Sequence, residues 1–595
     1  MVAPPRMNLR RAPSYNCPDR TVPAGSSSSS RFDFRHLVAS PPPSPSLPSL
    51  VPRRKRSVSN RLIARPHRLL RLAIYLTATT AICYGLLFLF GQRLPHEPLS
   101  YIFSEEYEMV GQDELPDFPT PIVVNDHHGH SKWTVSIPRS YPFPLSIDEY
   151  SEMMGHCRET ALRSTGLFDG STSSQAILSS SKAMSNFVDV AEAEKSGMLP
   201  SPHIPLVLKT AGHLVGVDEA EMAHLPVCHN SLTYVLESTN AGLGQALMNM
   251  WTFYGLAKAQ GRSFFIDDSR WAYGTYTDIF NAPPIPKCRP APRHQIVPCP
   301  AEARHLVVSS TTAKEMLPAL LAKAGVKSDN IRSMFDLARA GYQALYRLNY
   351  EDGGYVESRI RELQLKAKTG QTSSTDAPII GLHIRHGDRH PFEYQYHDTY
   401  IPGEVFLGKA QAIVDEHYNK SHAGDVERSS ITLLASDDPM VQEEADMVDV
   451  HLAQERIQLA SKDAIDDVNY DPHVLHRFVD ETFGWEGGFF APMFWNLGIE
   501  RRNNAADAPK GVPSQGVQAR PKPKPSEQTI KLRSFIGRAY MMDLAVLAGA
   551  SDKVVCAVSA TGCRLLAVMM GWEEGIAGGR WVNVDGEYPW RGVDA

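Results

Sequence analysis

The chain has 595 residues, 43% of them hydrophobic and 21% charged, and a formal net charge of −6. Those proportions exclude a wholly disordered chain, a collagen and a disulfide miniprotein. At about 150 residues per domain they allow about four domains if the whole chain is globular. The small net charge conceals a division: residues 1–71 carry fourteen Lys and Arg against Asp19 and Asp33, a local +12 that leaves −18 for the rest.

Residues 1–71 also hold the Ser26–Ser30 run and a PPPSPSLPSL stretch. They lack apolar periodicity and cannot bury enough surface to offset the entropy of ordering, so a disordered tail is expected. Leu72–Phe90 follows, uncharged and bracketed by Arg71 and Arg93. At 1.5 Å rise its helix would span about 29 Å, the thickness of a hydrocarbon core. Basic residues precede it, and Glu97, Glu105, Glu106 and Glu108 follow. The positive-inside rule then predicts a single-pass type II signal anchor, with a cytosolic tail and the bulk of the chain luminal. A cleaved signal peptide is disfavoured by the long preceding segment.

Residues 91–229 read as a luminal stem with a helical region, including a helix near Ile147–Leu162. Asp126–His130 (DHHGH) reads as a solvated linker rather than a metal site, since nothing at ligand spacing completes it. No metal is expected anywhere. Cys157, Cys228, Cys288, Cys299, Cys556 and Cys563 lie beyond the anchor, where an oxidising lumen permits disulfides. Asn419-Lys420-Ser421 is a glycosylation sequon.

From about residue 230, short apolar runs alternate with helical patterns. Strands are expected at Arg262–Asp267, His305–Ser309, Ile379–Ile384, Ile431–Ala435 and Lys553–Val558. Helices are expected at Leu243–Ala259, Thr312–Ala324 and Asn330–Arg347. This alternation predicts α/β layers built on parallel sheets. The lobes are placed at 230–376 and 377–595, with polar, Pro-rich 502–530 as a flexible insertion in the second.

Four segments carry chemistry. In Ile379–His397 (IIGLHIRHGDRHPFEYQYH) a buried strand ends in His383, Arg385, His386, Asp388, Arg389 and Glu393. Ligands of open α/β sheets bind at such strand ends. His383 and Arg385 share one face of an extended strand. A guanidinium fork suits phosphate and a carboxylate suits a general base, although a surface salt-bridge cluster reads equally well. Ser238–Gln245 (STNAGLGQ) precedes an apolar helix. Gly242 and Gly244 there allow either an anion at the helix start or an ordinary tight turn. Ala435–Pro439 (ASDDP) reads as capping of the next helix rather than a metal site. Val554–Arg564 (VVCAVSATGCR) places Cys556 and Cys563 just after a strand. Upstream of it Asp543 lies in an apolar helical pattern and reads, alone, as part of a solvated face.

Together these segments resemble the family 23 glycosyltransferases, which include Golgi α1,6-fucosyltransferases of the N-glycan core and bacterial enzymes acting on chitin oligosaccharides. Asn240–Tyr273 resembles the family's Gly-rich segment and W-x-Y. Gly381–His397 resembles H-x-R-R-x-D-K with its downstream Glu and His, and LLASDDP (Leu433–Pro439) resembles A-T-D-D-P. Met541–Arg564 resembles D-x-x-x-L-x-x-A-D with paired cysteines. The resemblance implies a GT-B-like fold of two Rossmann-like lobes, an inverting, metal-independent transfer, and GDP-fucose as donor with no other cofactor. It places His383, Asp543 and Tyr273 on the nucleoside, Arg385 on the β-phosphate, and Gly242, Gly244 and Thr561 around the donor. Glu393 is the implied base, with Arg389 and Asp388 beside it, and Cys556–Cys563 is the implied disulfide.

Two departures stand out. His386 replaces the motif's second Arg, and Ala560-Thr561 stand where the family has Ser-Gln. The expectation is also that the vertebrate-type C-terminal SH3-like domain is missing, with a different acceptor surface. The chain is thus expected to be a Golgi membrane fucosyltransferase acting on a glycan or glycoprotein, with the N-glycan core one acceptor in view. A protein O-fucosyltransferase-like enzyme and an anchored, non-catalytic glycan-binding homologue remain as alternatives. No nucleic-acid partner is expected.

Overall fold

The computed structural model describes residues 115–125, 131–164, 186–199, 213–237, 242–369, 376–386, 391–420, 429–438, 440–447, 449–457 and 527–593. The chain divides at Glu105 into two units, and every described residue lies in the second. The tail 1–71, the apolar stretch 72–90, the DHHGH segment and most of 502–530 lie outside the described residues. Among the described residues no helix is long and apolar enough to cross a membrane.

The segment read as stem and helical region contributes a hairpin and a helix. Strands β1 (Thr120–Asn125) and β2 (Ser131–Ser136) pair antiparallel, and helix α1 (Ile147–Ser164) follows. Trp133, Tyr150, Met153 and Met154 are buried and join the main core. Cys157 of α1 is bonded to Cys299, so this segment is covalently tied to the first lobe.

The first sheet comes next in the chain. It holds β3 (Ser231–Glu237), then helix α2 (Leu243–Ala259), β4 (Ser263–Arg270) and β5 (His305–Ser309). Its order is β4-β3-β5, all parallel. Helix α2 is buried on nearly every face, which explains its largely apolar sequence. Arg262 does not enter the strand as expected. Its buried guanidinium instead donates to the carbonyls of Ser231, Ala301, Ala303 and Arg304. Helix α3 (Ser310–Lys323) begins two residues before its expected start. Ser309 and Thr312 form a reciprocal capping box that fixes the earlier boundary. Helix α4 (Ile331–Leu345) crosses α2 at glycines. A Cβ on Gly341 would lie 2.2 Å from the Trp251 carbonyl oxygen, and one on Gly255 2.3 Å from that of Leu337. Only hydrogen on both sides permits this backbone contact. Helix α5 (Tyr350–Thr369) leads to the second lobe.

The second sheet, also all parallel, runs in spatial order Trp581–Asn583, Lys553–Cys556, Ile379–Ile384, Ile431–Ser436 and His451–Leu452. In chain order its parts are β6 (Ile379–Ile384), α6 (Gly403–Lys420), β7 (Ile431–Ser436) and β8 (His451–Leu452). Then come α7 (Glu527–Ala550), β9 (Lys553–Cys556), α8 (Thr561–Met570) and β10 (Trp581–Asn583). Helix α7 takes in Glu527–Ile530, the end of the stretch read as an insertion. Disulfides join Cys228 to Cys288 and Cys556 to Cys563.

One apolar core runs from the hairpin through α2 and α4 into α7 and α8, while a second fills the α6 side of the second sheet. Polar ties cross between the lobes as well. Arg339 of α4 donates to the carbonyls of Val568 and Met569 at the end of α8. Arg538 of α7 donates to both carboxylate oxygens of fully buried Asp352, at 2.6 and 2.7 Å. The chain is therefore a mixed α/β structure with two parallel sheets sharing a helical layer.

Candidate active site

The carboxyl end of β6 meets the first turns of two helices. His383, the penultimate residue of β6, lies in register with Ala435 of β7 and Cys556 of β9. Its ring is buried against the start of α8. A Cβ on Gly562 would lie 2.3 Å from His383 Nε2 and 2.7 Å from the Tyr540 hydroxyl. His383 Nδ1 is buried with no hydrogen-bond partner among the described residues.

Burial, reinforced by the Arg385 charge, pushes the His383 imidazole down to about 4. The folded form is therefore neutral at pH 7, whereas an unfolded imidazole protonates near 6.5. Its stabilising contribution is present above about pH 6.5 and is lost as pH falls through about 4. Denaturant unfolding across that window should show a loss of stability in the wild type. The His383→Gln variant should lose less, by roughly 3 kcal/mol at one pKa unit per 1.36 kcal/mol. Equal slopes would show that the ring is accessible to protons in the fold.

Arg385 follows at the strand end. Its guanidinium lies 3.1 Å from Asp437 Oδ2, and Asp437 also accepts from the main-chain N–H of His386 at 2.7 Å. Burial raises the Asp437 carboxyl and Arg385 pulls it back. Asp438 takes the His386 imidazole, with Nδ1 to Oδ2 at 3.0 Å, and the ring stacks on Tyr400 at 4.6 Å. The ASDDP acids, expected to cap the next helix, thus bond the β6 corner. His386 is folded into that corner as a tie between loops.

The first turns of α2 and α8 touch each other. Their N-cap residues, Gly242 and Ala560, supply no side-chain cap. A Cβ on Gly244 would lie 3.1 Å from Thr561 Cγ2, so the two turns are in direct contact. The hydroxyl of Tyr273 accepts from Leu243 N–H at 3.3 Å, and burial lifts that hydroxyl to about 12. Arg385 and buried Arg533 both act on Tyr273 electrostatically. The N-terminal ends of helices carry partial positive charge, and Arg385 acts electrostatically on the tyrosine that takes the first amide of α2. At the opposite end of α8, Arg339 occupies the last carbonyls and so reinforces the helix's polarity.

Asp543 is not on a solvated face. It is buried one turn along α7 from Tyr540, with Gln454, which follows β8, acting to lower its carboxyl. Burial raises its carboxyl well above the ordinary range.

Glu393 is half-buried at the start of a single turn, Tyr394–Tyr396. Its N–H donates to Asp585 Oδ1 at 2.8 Å, and Asp585 Oδ2 accepts from Ser559 N–H at 3.1 Å. The carboxylate-bearing loop is thereby linked to the start of α8. Asp388 and Arg389 lie outside the described residues.

The structure thus groups His383, Arg385, Tyr273, Gly242, Gly244 and Thr561 around two helix starts, with Glu393 tied to the same corner and Asp543 facing Gln454. The sequence reading missed Tyr540, Gln454, Arg564 and Asp585. Arg564 is fully buried and donates to the carbonyls of Ser559 and Gly592 and to the Thr561 hydroxyl. An Asp-Gly pair after the β10 residues was the one local signal for Asp585.

No protein-family model matches the chain, and no curated protein matches it in sequence. Solved structures that align with it include NodZ α1,6-fucosyltransferase soaked with GDP-fucose, at 12% identity and TM-score 0.23, covering 57% of this chain and 92% of that one. Fucosyltransferase NodZ from Bradyrhizobium aligns at 14% identity and TM-score 0.20, covering 38% and 79%. Superpositions this slight assign neither a fold nor an activity to this chain.

Proposed function

We propose that the chain is an inverting fucosyltransferase that takes fucose from GDP-fucose to a glycan hydroxyl. The observation that carries this reading is the contact of two helix starts whose N-cap residues give no side-chain cap, with Arg385 acting electrostatically on Tyr273 at the start of α2 and Glu393 tied to α8 through Asp585. That arrangement suits a nucleoside diphosphate whose departing oxygens gain negative charge as the glycosidic bond breaks. The motif order from Asn240 to Arg564 supports GDP-fucose as the particular donor.

In the proposed reaction an acceptor oxygen attacks the anomeric carbon from the face opposite the diphosphate. Its proton passes to the Glu393 carboxylate, and the carbon–oxygen bond to the β-phosphate breaks. Arg385 and the α2 and α8 amides stabilise the released charge, so the step as written draws its positive charge from the protein. His383, Tyr273 and Asp543 then serve the nucleoside side. In the same proposal 72–90 anchors the protein in the Golgi membrane with residues from 91 onward luminal. The three disulfides suit such an oxidising compartment.

Purified protein should release GDP from GDP-fucose only when one acceptor class is present among N-glycans, chitin oligosaccharides and folded protein domains. No release with any of them would leave a glycan-binding protein as the better reading. Arg385→Ala should weaken GDP-fucose binding about 10–100-fold, from the loss of charge-assisted hydrogen bonds worth about 1.5–3 kcal/mol. Calorimetric titration measures this directly, and an unchanged affinity would remove Arg385 from the phosphate site.

A further inference from the structure

The segment after β10 turns back across the loop that carries Glu393. Asn583 builds this turn. Its Oδ1 accepts from the N–H groups of Val558 and Asp585, each at 3.0 Å. Its Nδ2 donates to the carbonyls of Asp585, Gly586 and Tyr588 at 3.2, 3.0 and 3.2 Å. All of this one amide's capacity goes into fixing the turn, and the turn holds Asp585 fully buried.

Asp585 then spans two loops distant in sequence, one oxygen for each. Oδ1 takes the N–H of Glu393 and Oδ2 the N–H of Ser559, two residues before α8. Gly586 follows at φ +61°, where a side chain is strained. A Cβ there would lie 2.6 Å from Glu393 Oε2 and 3.2 Å from the Tyr588 ring. The Glu393 carboxylate therefore occupies the space that the missing side chain leaves. The Tyr588 hydroxyl donates to the Phe392 carbonyl at 3.4 Å, and the rings of Phe392 and Tyr588 meet edge to face at 5.3 Å. Arg591 lies 4.8 Å over the Phe392 ring.

We propose that Asp585 is a positioning residue: it ties the main chain that carries Glu393 to the loop entering α8, so that proton removal from the acceptor and departure of the diphosphate are held in one geometry. Gly586 supplies the gap that the carboxylate needs. The inference rests on Glu393 being the base. Nothing about Asp585 requires it to touch substrate.

The test uses Asp585→Asn in the otherwise intact protein. Asparagine keeps one acceptor oxygen but turns an NH2 toward the other main-chain donor, so one loop is released. Fucose transfer should fall about 10–100-fold in kcat, as for a misplacement near 1 Å, with little change in the KM for GDP-fucose. In a Glu393→Gln background the same substitution should cause no further loss, because residues that act as a unit are not additive. Amide hydrogen exchange should quicken at Glu393 or at Ser559, whichever loop is released in Asp585→Asn. Should that variant fail to fold, Gly586→Ala displaces the same carboxylate from the other side and should lower kcat similarly. Unchanged kcat in a folded variant, or an additive loss in the Glu393→Gln background, overturns the proposal. A wild type that transfers no fucose defeats the functional reading instead. The exchange measurement then still decides the tie, and unchanged exchange at both amides overturns it whatever the reaction.

Discussion

Glu393→Gln should lower fucose transfer by about 10²–10⁴-fold, the usual contribution of a general base, while GDP binding survives. The substitution changes one carboxylate oxygen to an amide nitrogen and removes the capacity to take a proton. It leaves the main-chain N–H of residue 393 in place, so the bond to Asp585 at 2.8 Å persists and the loop keeps its path. The groups proposed to face the phosphates, Arg385 and the starts of α2 and α8, are untouched. Loss of transfer with donor affinity kept within a few-fold therefore separates the chemical step from binding. Single-turnover transfer and GDP titration on the same preparation measure the two quantities. Normal turnover in the variant would sink the base assignment.

Replacing Cys157 and Cys299 together by Ser should cost about 4–5 kcal/mol, from chain-entropy bookkeeping for a loop of this size. The bond joins residues 142 apart, from α1 to the connection before β5. It is the longest of the three closures, against 60 for Cys228–Cys288 and 7 for Cys556–Cys563. Packing already holds the same region: Trp133, Tyr150, Met153 and Met154 are buried in the shared core. The bond therefore acts chiefly on the unfolded chain. Denaturant midpoints for the double variant and the oxidised wild type give the difference. A loss below about 1 kcal/mol would mean the unfolded chain is already restrained there.

The fold was legible where one local rule decided the matter. Helix α2 runs over its expected residues, Leu243–Ala259, because a largely apolar run with Lys258 as its one charge lies between Gly242 and Gly261. Strands β5 and β6 also match, since each is a short β-branched run buried along its length. Strand β3 was not read. Its buried face includes Ser231, Thr233 and Glu237; His305 bonds Ser231 and Thr311 donates to Glu237, partners that lie 74 positions away in the chain. Helices α5 and α6 were also missed, their apolar residues being spread among many charges.

The site divides in the same way. His383, Arg385 and Glu393 stand in one dense stretch, and a strand running into such a cluster advertises itself. Their partners do not. Asp437 meets His386 across 51 positions, and Asp585 meets Glu393 across 192. A single chain of letters carries no record of pairings that only the sheet order creates. Asp543 illustrates the cost: the apolar neighbours on its helix gave no sign of Gln454, so its burial could not be inferred from the helix alone.

The shared core has a consequence for how the chain is made. Phe335 of α4, in the first lobe, packs against Trp572 and Trp590 at 5.2 and 4.9 Å, and α2 buries its flank against α8. During synthesis the first sheet and α2 leave the ribosome with that flank bare. Among the described residues its cover comes from α7, α8 and Trp590, the last of these more than two hundred residues after α4. Folding of the first lobe is thus completed by the last stretch of chain, a high-contact-order arrangement that is slow and exposes apolar surface meanwhile. Chaperone holding during that interval, and sensitivity to truncation even a few residues before Trp590, follow from the topology.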